Sequence, residues 1–155
     1  MRGQRRGVKL AMVAEERDAL LADERTCRVA TVGADGSPHI TPLWFVWDGA
    51  ALWLTSIVKS QRWTDLQRDG RVSVVVDGGD DFMQLRGVEI RGTATPVGEV
   101  PRLGEAVPEL DAPERLYADK YAGGTVVHDG RHAWLRITPD KIVSWDFRKL
   151  GSLAG

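Results

Sequence analysis

The sequence predicts a mainly β fold: a small antiparallel barrel of six or seven strands with two or three small helices. Three observations predict it. Short apolar runs recur along the 155 residues, a length sufficient for one core. Asp-Gly pairs separate several of the runs, and a glycine accepts positive φ at no steric cost, as a tight hairpin requires. Helical patterns are confined to a few short stretches, so the strand–helix alternation of a parallel sheet is missing.

Taken in order, residues 1–10 read as a basic flexible arm bearing Arg2, Arg5, Arg6 and Lys9, and residues 11–155 as a single domain. Val13–Asp23 reads as a short amphipathic helix. Strand-like runs follow at Arg28–Val32, His39–Trp47 and Ala51–Ser56, divided by Asp35-Gly36 and Asp48-Gly49. Both faces of His39–Trp47 are largely apolar, as in a strand covered on two sides. Pro42 cannot donate to a ladder and belongs at an edge or bulge. Bulges re-aim side chains beside sites, which makes the Thr41–Trp44 backbone a candidate for contact with a planar ligand. A short helix runs to about Arg68, and Val72–Val76 reads as a buried strand. Phe82–Pro96 reads as a long strand whose Gly87 and Gly92 mark bends or bulges. Asp111–Ala122 reads as a helix, with Pro113 near its start and Gly123-Gly124 beyond its end. His132–Thr138, a turn at Thr138-Pro139-Asp140 and a last strand Ile142–Phe147 complete the chain.

Composition excludes several classes. A net charge of −1 argues against nucleic-acid binding by bulk electrostatics. The single cysteine, Cys27, allows no internal disulfide and no cysteine-based metal cluster, and it reads as a small buried residue. Asp77, Asp80 and Asp81 share a turn, but no further oxygen ligands follow at loop spacing, and the three histidines have no metal-binding spacing. No metal is expected. No apolar run reaches the roughly 18 residues of a membrane span. The basic N-terminus is broken by Lys9 and followed by Glu15-Glu16, unlike a signal peptide. The expected location is cytoplasmic.

Hydrolase and nucleotide motifs are missing. Ser56-Ile57-Val58-Lys59 matches Ser-x-x-Lys, but its partner motifs do not occur. Neither G-x-S-x-G, G-x-G-x-x-G nor a P-loop is found. No acid–base pair stands out, so no catalytic residue is assigned; an enzyme built this way would leave the hard chemistry to a bound cofactor. Six tryptophans favour an interface or an aromatic pocket, and they fit core filling equally. A half-open barrel this rich in tryptophan would leave a large apolar patch, which points to a homodimer.

The stretch from Thr55 to Arg62 carries three hydroxyls and two positive charges: Thr55, Ser56, Lys59, Ser60 and Arg62. It forms a strand–turn–helix corner. Free N–H groups and the partial positive charge of a helix start suit a phosphate. The same residues also fit an ordinary solvated first turn.

The run Ala30-Thr31-Val32-Gly33-x-x-Gly36-Ser37-Pro38-His39, then Pro42-Leu43-Trp44-Phe45, Thr55-Ser56 and Lys59-Ser60-Gln61-Arg62-Trp63, resembles the split β-barrel flavin- and deazaflavin-dependent oxidoreductases. These FMN-binding split barrels form the superfamily of pyridoxamine 5′-phosphate oxidase. The likeness spans residues 15–147 and is nearest to the branch that uses coenzyme F420, a deazaflavin with a phosphate and an oligoglutamate tail. It implies a ring lying against Thr41, Pro42, Leu43 and Trp44 and against Leu54, Thr55 and Ser56. It implies a phosphate held by Ser56, Lys59, Ser60 and Arg62, with Trp63 beside the tail. The cofactor would lie between the subunits of a homodimer, with Trp145 and Arg148 contributed by the partner. The implied activity is hydride transfer from reduced F420 to an unsaturated small molecule. The alternatives are an FMN-dependent oxidase or reductase of the same fold and a non-catalytic cofactor-binding protein. The substrate-phosphate Arg and His set of the classical oxidases has no counterpart here.

Overall fold

A computed structural model describes residues 1–124 and 128–153; the last two residues of the expected 11–155 domain lie outside the described residues. Seven antiparallel strands form one curled sheet: β1 (Cys27–Val32), β2 (Pro38–Leu43), β3 (Phe45–Trp47), β4 (Leu52–Ile57), β5 (Arg71–Gly78), β6 (Arg86–Val97) and β7 (His132–Asp146). Their order across the sheet is β2-β1-β5-β6-β7-β4-β3. Three helices accompany them, α1 (Ala14–Asp23), α2 (Gln61–Arg68) and α3 (Pro108–Tyr121), followed by a C-terminal turn at Leu150–Leu153.

The two edges of this sheet, β2 and β3, are consecutive in sequence. The expected single strand His39–Trp47 is therefore two strands on opposite edges, parted at Trp44. Pro42 is exposed and has no N–H to offer a further strand. The Trp44 indole leaves the sheet and stacks on Tyr121, with centroids 4.4 Å apart and planes 7° from parallel. The Tyr121 hydroxyl accepts the Phe45 N–H at 3.1 Å and lies 2.9 Å from the Phe45 carbonyl and 2.7 Å from that of Arg25. The break is thus held by a phenol from α3.

Four other expectations change. Phe82–Gln84 is a single 3-10 turn, and the long strand begins only at Arg86. Helix α3 begins at Pro108, and Pro113 lies inside it. The expected turn at Thr138–Asp140 does not form, because β7 runs through it with a bulge. Arg91 pairs with Lys141 while Gly92 pairs with Pro139; a Cβ on Gly92 would lie 2.1 Å from the Thr138 carbonyl oxygen. The glycine does mark an irregularity, but the strand passes through it without reversing. The arm also runs along β7: Arg2 N–H bonds Asp140 O at 2.8 Å, and the Gln4 amide bonds both O and N of Ser144 at 3.0 Å. A side-chain amide standing in for a strand leaves no periodicity to read.

Two apolar clusters flank the sheet. The inner one joins Val29, Phe45, Leu54, Val74, Ile90 and Leu135 with Leu20 and Leu21 of α1 and Trp63 and Leu66 of α2. Truncating a fully buried leucine of this set to alanine costs about 2–5 kcal/mol. The outer one packs Leu110, Tyr117 and Tyr121 of α3 onto Val46, Trp53 and Trp134. β4 is covered on both sides, which explains its run of buried residues from Leu52 to Leu54. Trp53, Trp63 and Trp134 are core residues, so half of the tryptophan surplus is structural.

Arg102 fixes the loop between β6 and α3. It lies buried between Glu99 and Glu114, the latter 2.7 Å away, and Glu99 also accepts the Glu105 N–H at 2.7 Å. Desolvation pushes the Glu99 carboxyl up, but Arg102 and the Glu105 N–H outweigh it and hold it down to about 2, from an ordinary 4.5. A depressed folded-state value contributes stability above about pH 4.5, and that stability is lost as pH falls toward 2. Glu99→Gln should therefore melt below the parent protein at neutral pH and converge with it between pH 4.5 and 2 in thermal denaturation.

Candidate functional site

The site is built on the short segment joining β4 to α2. Ser60 caps α2, its hydroxyl accepting the Trp63 N–H at 3.1 Å. Trp63 and Leu66 turn into the core. Arg62, on the same helix, reaches across the split in the barrel. Its Nη1 donates to Thr41 Oγ1 of β2 at 2.6 Å, and its Nε donates to Ser56 Oγ of β4 at 3.2 Å. Ser56 Oγ lies 3.4 Å from Ser60 Oγ. Four of the expected phosphate and ring contacts, Thr41, Ser56, Ser60 and Arg62, therefore form one hydrogen-bonded cluster.

The electrostatics of that cluster are unusual. Arg62 is 7% exposed and Ser56 fully buried, yet among the described residues no carboxylate forms an ion pair with Arg62. Burial accordingly pulls its guanidinium below the ordinary value. Asp65, one turn further along α2, is turned elsewhere. It accepts from Gln61 Nε2 and Thr31 Oγ1 at 2.8 Å and from Arg68 Nη2 at 3.3 Å, and it lies 3.7 Å from His39 Nδ1. The Gln61 and Thr31 hydrogen bonds hold its carboxyl below the usual range. Every buried side-chain nitrogen and oxygen among the described residues has a partner. Arg62 Nη2 has none and so opens toward solvent. The guanidinium edge, the Ser60 hydroxyl and the helix start lie close together, a donor set for a phosphate or similar oxyanion, with the fully buried Ser56 hydroxyl bonded to the guanidinium.

The other candidates divide. Lys59 is exposed on the preceding turn and could reach the same anion. Strand alternation puts Thr55 on the opposite face of β4 from Ser56, paired across to Trp134, and Pro42 opposite Thr41. Trp44 is 47% exposed and continues this outer surface, 6.3 Å from Tyr117, which meets Trp134 edge-on at 5.7 Å. Leu43 is half-buried against the inner core, while Leu54 and Trp63 lie within it. Trp145 and Arg148 stand at the far end of β7, where Trp145 pairs with Gly87 and Arg148 is ion-paired to Asp146. Within one chain these two are remote from the corner. Asp65, Thr31 and His39 were missed as supports. The Arg62-x-x-Asp65 spacing on one helix face, and the shared inward parity of His39 and Thr41, are the signals that could have found them.

With this geometry in place, the class is clear. The family model described as pyridoxamine 5′-phosphate oxidase matches residues 13–146, and the chain belongs to that family. It is similar to a conserved hypothetical protein from Mycobacterium tuberculosis, at 31% identity and TM-score 0.80, over 96% of this chain and 93% of that one. It shares its fold with an F420 reductase at 24% identity and TM-score 0.60, over 84% and 98% of the two chains. It also shares its fold with the haem storage protein HutZ from Vibrio cholerae, at 14% identity and TM-score 0.66, over 84% and 93%. No curated protein matches the chain.

A buried charge without a counter-ion opposes folding. Arg62→Met, similar in volume, should therefore melt no lower than the parent protein while losing affinity for inorganic phosphate. A loss of more than about 4 °C, the scale of 1 kcal/mol for a domain of this size, would make Arg62 a structural strut.

Proposed function

We propose that the chain is an oxidoreductase that uses reduced coenzyme F420 to pass a hydride to an unsaturated small molecule, working as a homodimer. The observation that carries this reading is the buried Arg62, ringed by Thr41, Ser56 and Ser60 and lacking a carboxylate partner. The motif resemblance and the fold shared with an F420 reductase support the choice of cofactor. When bound, the deazaflavin supplies the hydride. The chain's own part is to hold the phosphate with Ser56, Ser60, Arg62 and Lys59, to orient the ring along Thr41–Trp44 and Thr55, and to exclude water. No side chain is assigned as a covalent or acid–base catalyst.

Dimerisation is supported by the outer face of β2, β1 and β5. Ile40 there is 62% exposed and stands beside Ala30 in the ladder, with Pro42 and Val75 in the neighbouring row. A second copy on this side would cover them, and the partner's Trp145 and Arg148 would then reach the groove that this chain's own cannot. Ile40→Arg should sediment as a monomer at micromolar concentration where the parent protein sediments as a dimer.

Lys59→Ala and Arg62→Ala should each weaken F420 binding by about 10- to 150-fold, or roughly 1.5–3 kcal/mol, the range for hydrogen bonds to charged groups. The corner fits the phosphate of FMN equally well, so a competition titration of FMN against F420 at moderate salt decides between them. Preference for F420 is expected. Equal affinity or preference for FMN overturns the deazaflavin assignment.

A further inference from the structure

Away from the corner, Trp44 offers a bare aromatic face. Tyr121 lies parallel to one side of the indole at 4.4 Å, yet the residue is still 47% exposed. Arg25 stands beside this pair, its guanidinium carbon 4.9 Å from the Tyr121 centroid and 5.8 Å from that of Trp44. Those three distances put the guanidinium on the Tyr121 side of the indole, so both leave the outer face of Trp44 clear. Arg25 is itself fixed in place. Its Nη1 donates to the Lys120 carbonyl at 3.0 Å, its own carbonyl accepts the Tyr121 hydroxyl at 2.7 Å, and the Tyr121 ring attracts the cation. Among the described residues its Nε–Nη2 edge has no hydrogen-bond partner, and no carboxylate forms an ion pair with it. Lys120 adds a second positive charge 5.4 Å from the Tyr121 centroid. Asp23 and Glu24 reach Lys120 only by longer-range attraction, and the Glu24 carboxylate lies beside Gly78 of β5.

We propose that Trp44 and Arg25 form a subsite for a planar aromatic acid. Its ring system stacks on the outer face of Trp44, and a carboxylate on a short arm meets the Nε–Nη2 edge of Arg25. Two parallel N–H groups at that edge match the two oxygens of a carboxylate. The arm is needed because the guanidinium stands on the Tyr121 side of the indole, one layer away from a ring stacked on the outer face. Tyr121 holds the indole and the arginine together, so little side-chain freedom is lost when the acid binds. That this acid is the hydride acceptor rests on the F420 reading above, whereas its binding here does not.

The test titrates the full chain, without cofactor and at low salt, with 1-naphthaleneacetate and with the neutral 2-(1-naphthyl)ethanol by calorimetry. The acid should bind once per chain and about three- to tenfold more tightly than the alcohol, the scale of a bidentate pair at a half-open surface. Arg25→Gln should bring the acid down to the level of the alcohol and leave the alcohol's affinity as it was. Trp44→Leu should weaken both ligands about threefold or more, through the lost stacking. No measurable binding of the acid, equal affinity of acid and alcohol, or an advantage of the acid that survives Arg25→Gln overturns the proposal. So does loss of that advantage in Arg62→Met, which would place the carboxylate at the corner instead. Cofactor takes no part in the experiment, so its failure and failure of the F420 assignment are separate results.

Discussion

A guanidinium placed in a barrel wall without a carboxylate is the constraint on which this site depends. Arg62 reaches from α2 to hydroxyls on β4 and β2, so the residue at the centre of the proposed anion site lies across the split side of the barrel. Hydroxyls accept from its Nε and Nη1, Nη2 is left without a partner, and its charge is uncompensated. A carboxylate at Thr41 or Ser56 would neutralise it and close the site to anions. The nearest buried carboxylate on its own helix, Asp65, is held by Gln61, Thr31 and Arg68, an arrangement that anchors α2 to β1 while keeping Asp65 from pairing with Arg62. Positive charge at the corner survives because a second network absorbs the negative charge beside it.

The opposite face of the sheet is organised by α3. Tyr121 holds both backbone groups of Phe45 at the start of β3 and presents its ring to Trp44. Burial pushes its phenol up to about 12, so it stays a neutral donor at any working pH. The Glu99–Arg102–Glu114 set ties the loop before α3 to the helix itself, and Glu114 also meets His128 and Trp134. The exposed indole of Trp44 is therefore a platform supported from below by a pinned ring, with Arg25 5.8 Å from its centroid.

Much of this was legible in the sequence because it is local. The Asp-Gly hairpins, the short α2 and the glycine at the β6–β7 bulge follow from backbone preferences of single residues and from periodicity. Ser56, Ser60 and Arg62 were legible because a strand end and a helix start within eight residues cannot be far apart. What could not be read was long-range. Trp44 looks like mid-strand apolar sequence until Tyr121, 77 positions away in the chain, removes it from the sheet. The turn expected at Pro139 failed because a proline-bearing bulge and a proline-bearing turn look alike in one strand; the ladder from β6 decides between them. The arm, read as flexible from its charge, lies on β7 through Gln4, a residue with no patterning signal at all.

The division of the expected ring contacts between two faces has a physical consequence. Ser56 and Thr41 point inward and Thr55 and Pro42 outward, because side chains alternate along a strand. Arg62 bonds the inward pair, and the outward pair lies on the other face of the sheet, on the side of Trp44. The corner is thus determined by a few adjacent residues and is compact, whereas the surface beyond it is assembled from a strand edge, α3 and whatever covers the open side. An F420 reductase and a haem storage protein share this fold at 24% and 14% identity. At these identities the fold alone is shared, and the guest rests with side chains that the sheet itself does not dictate.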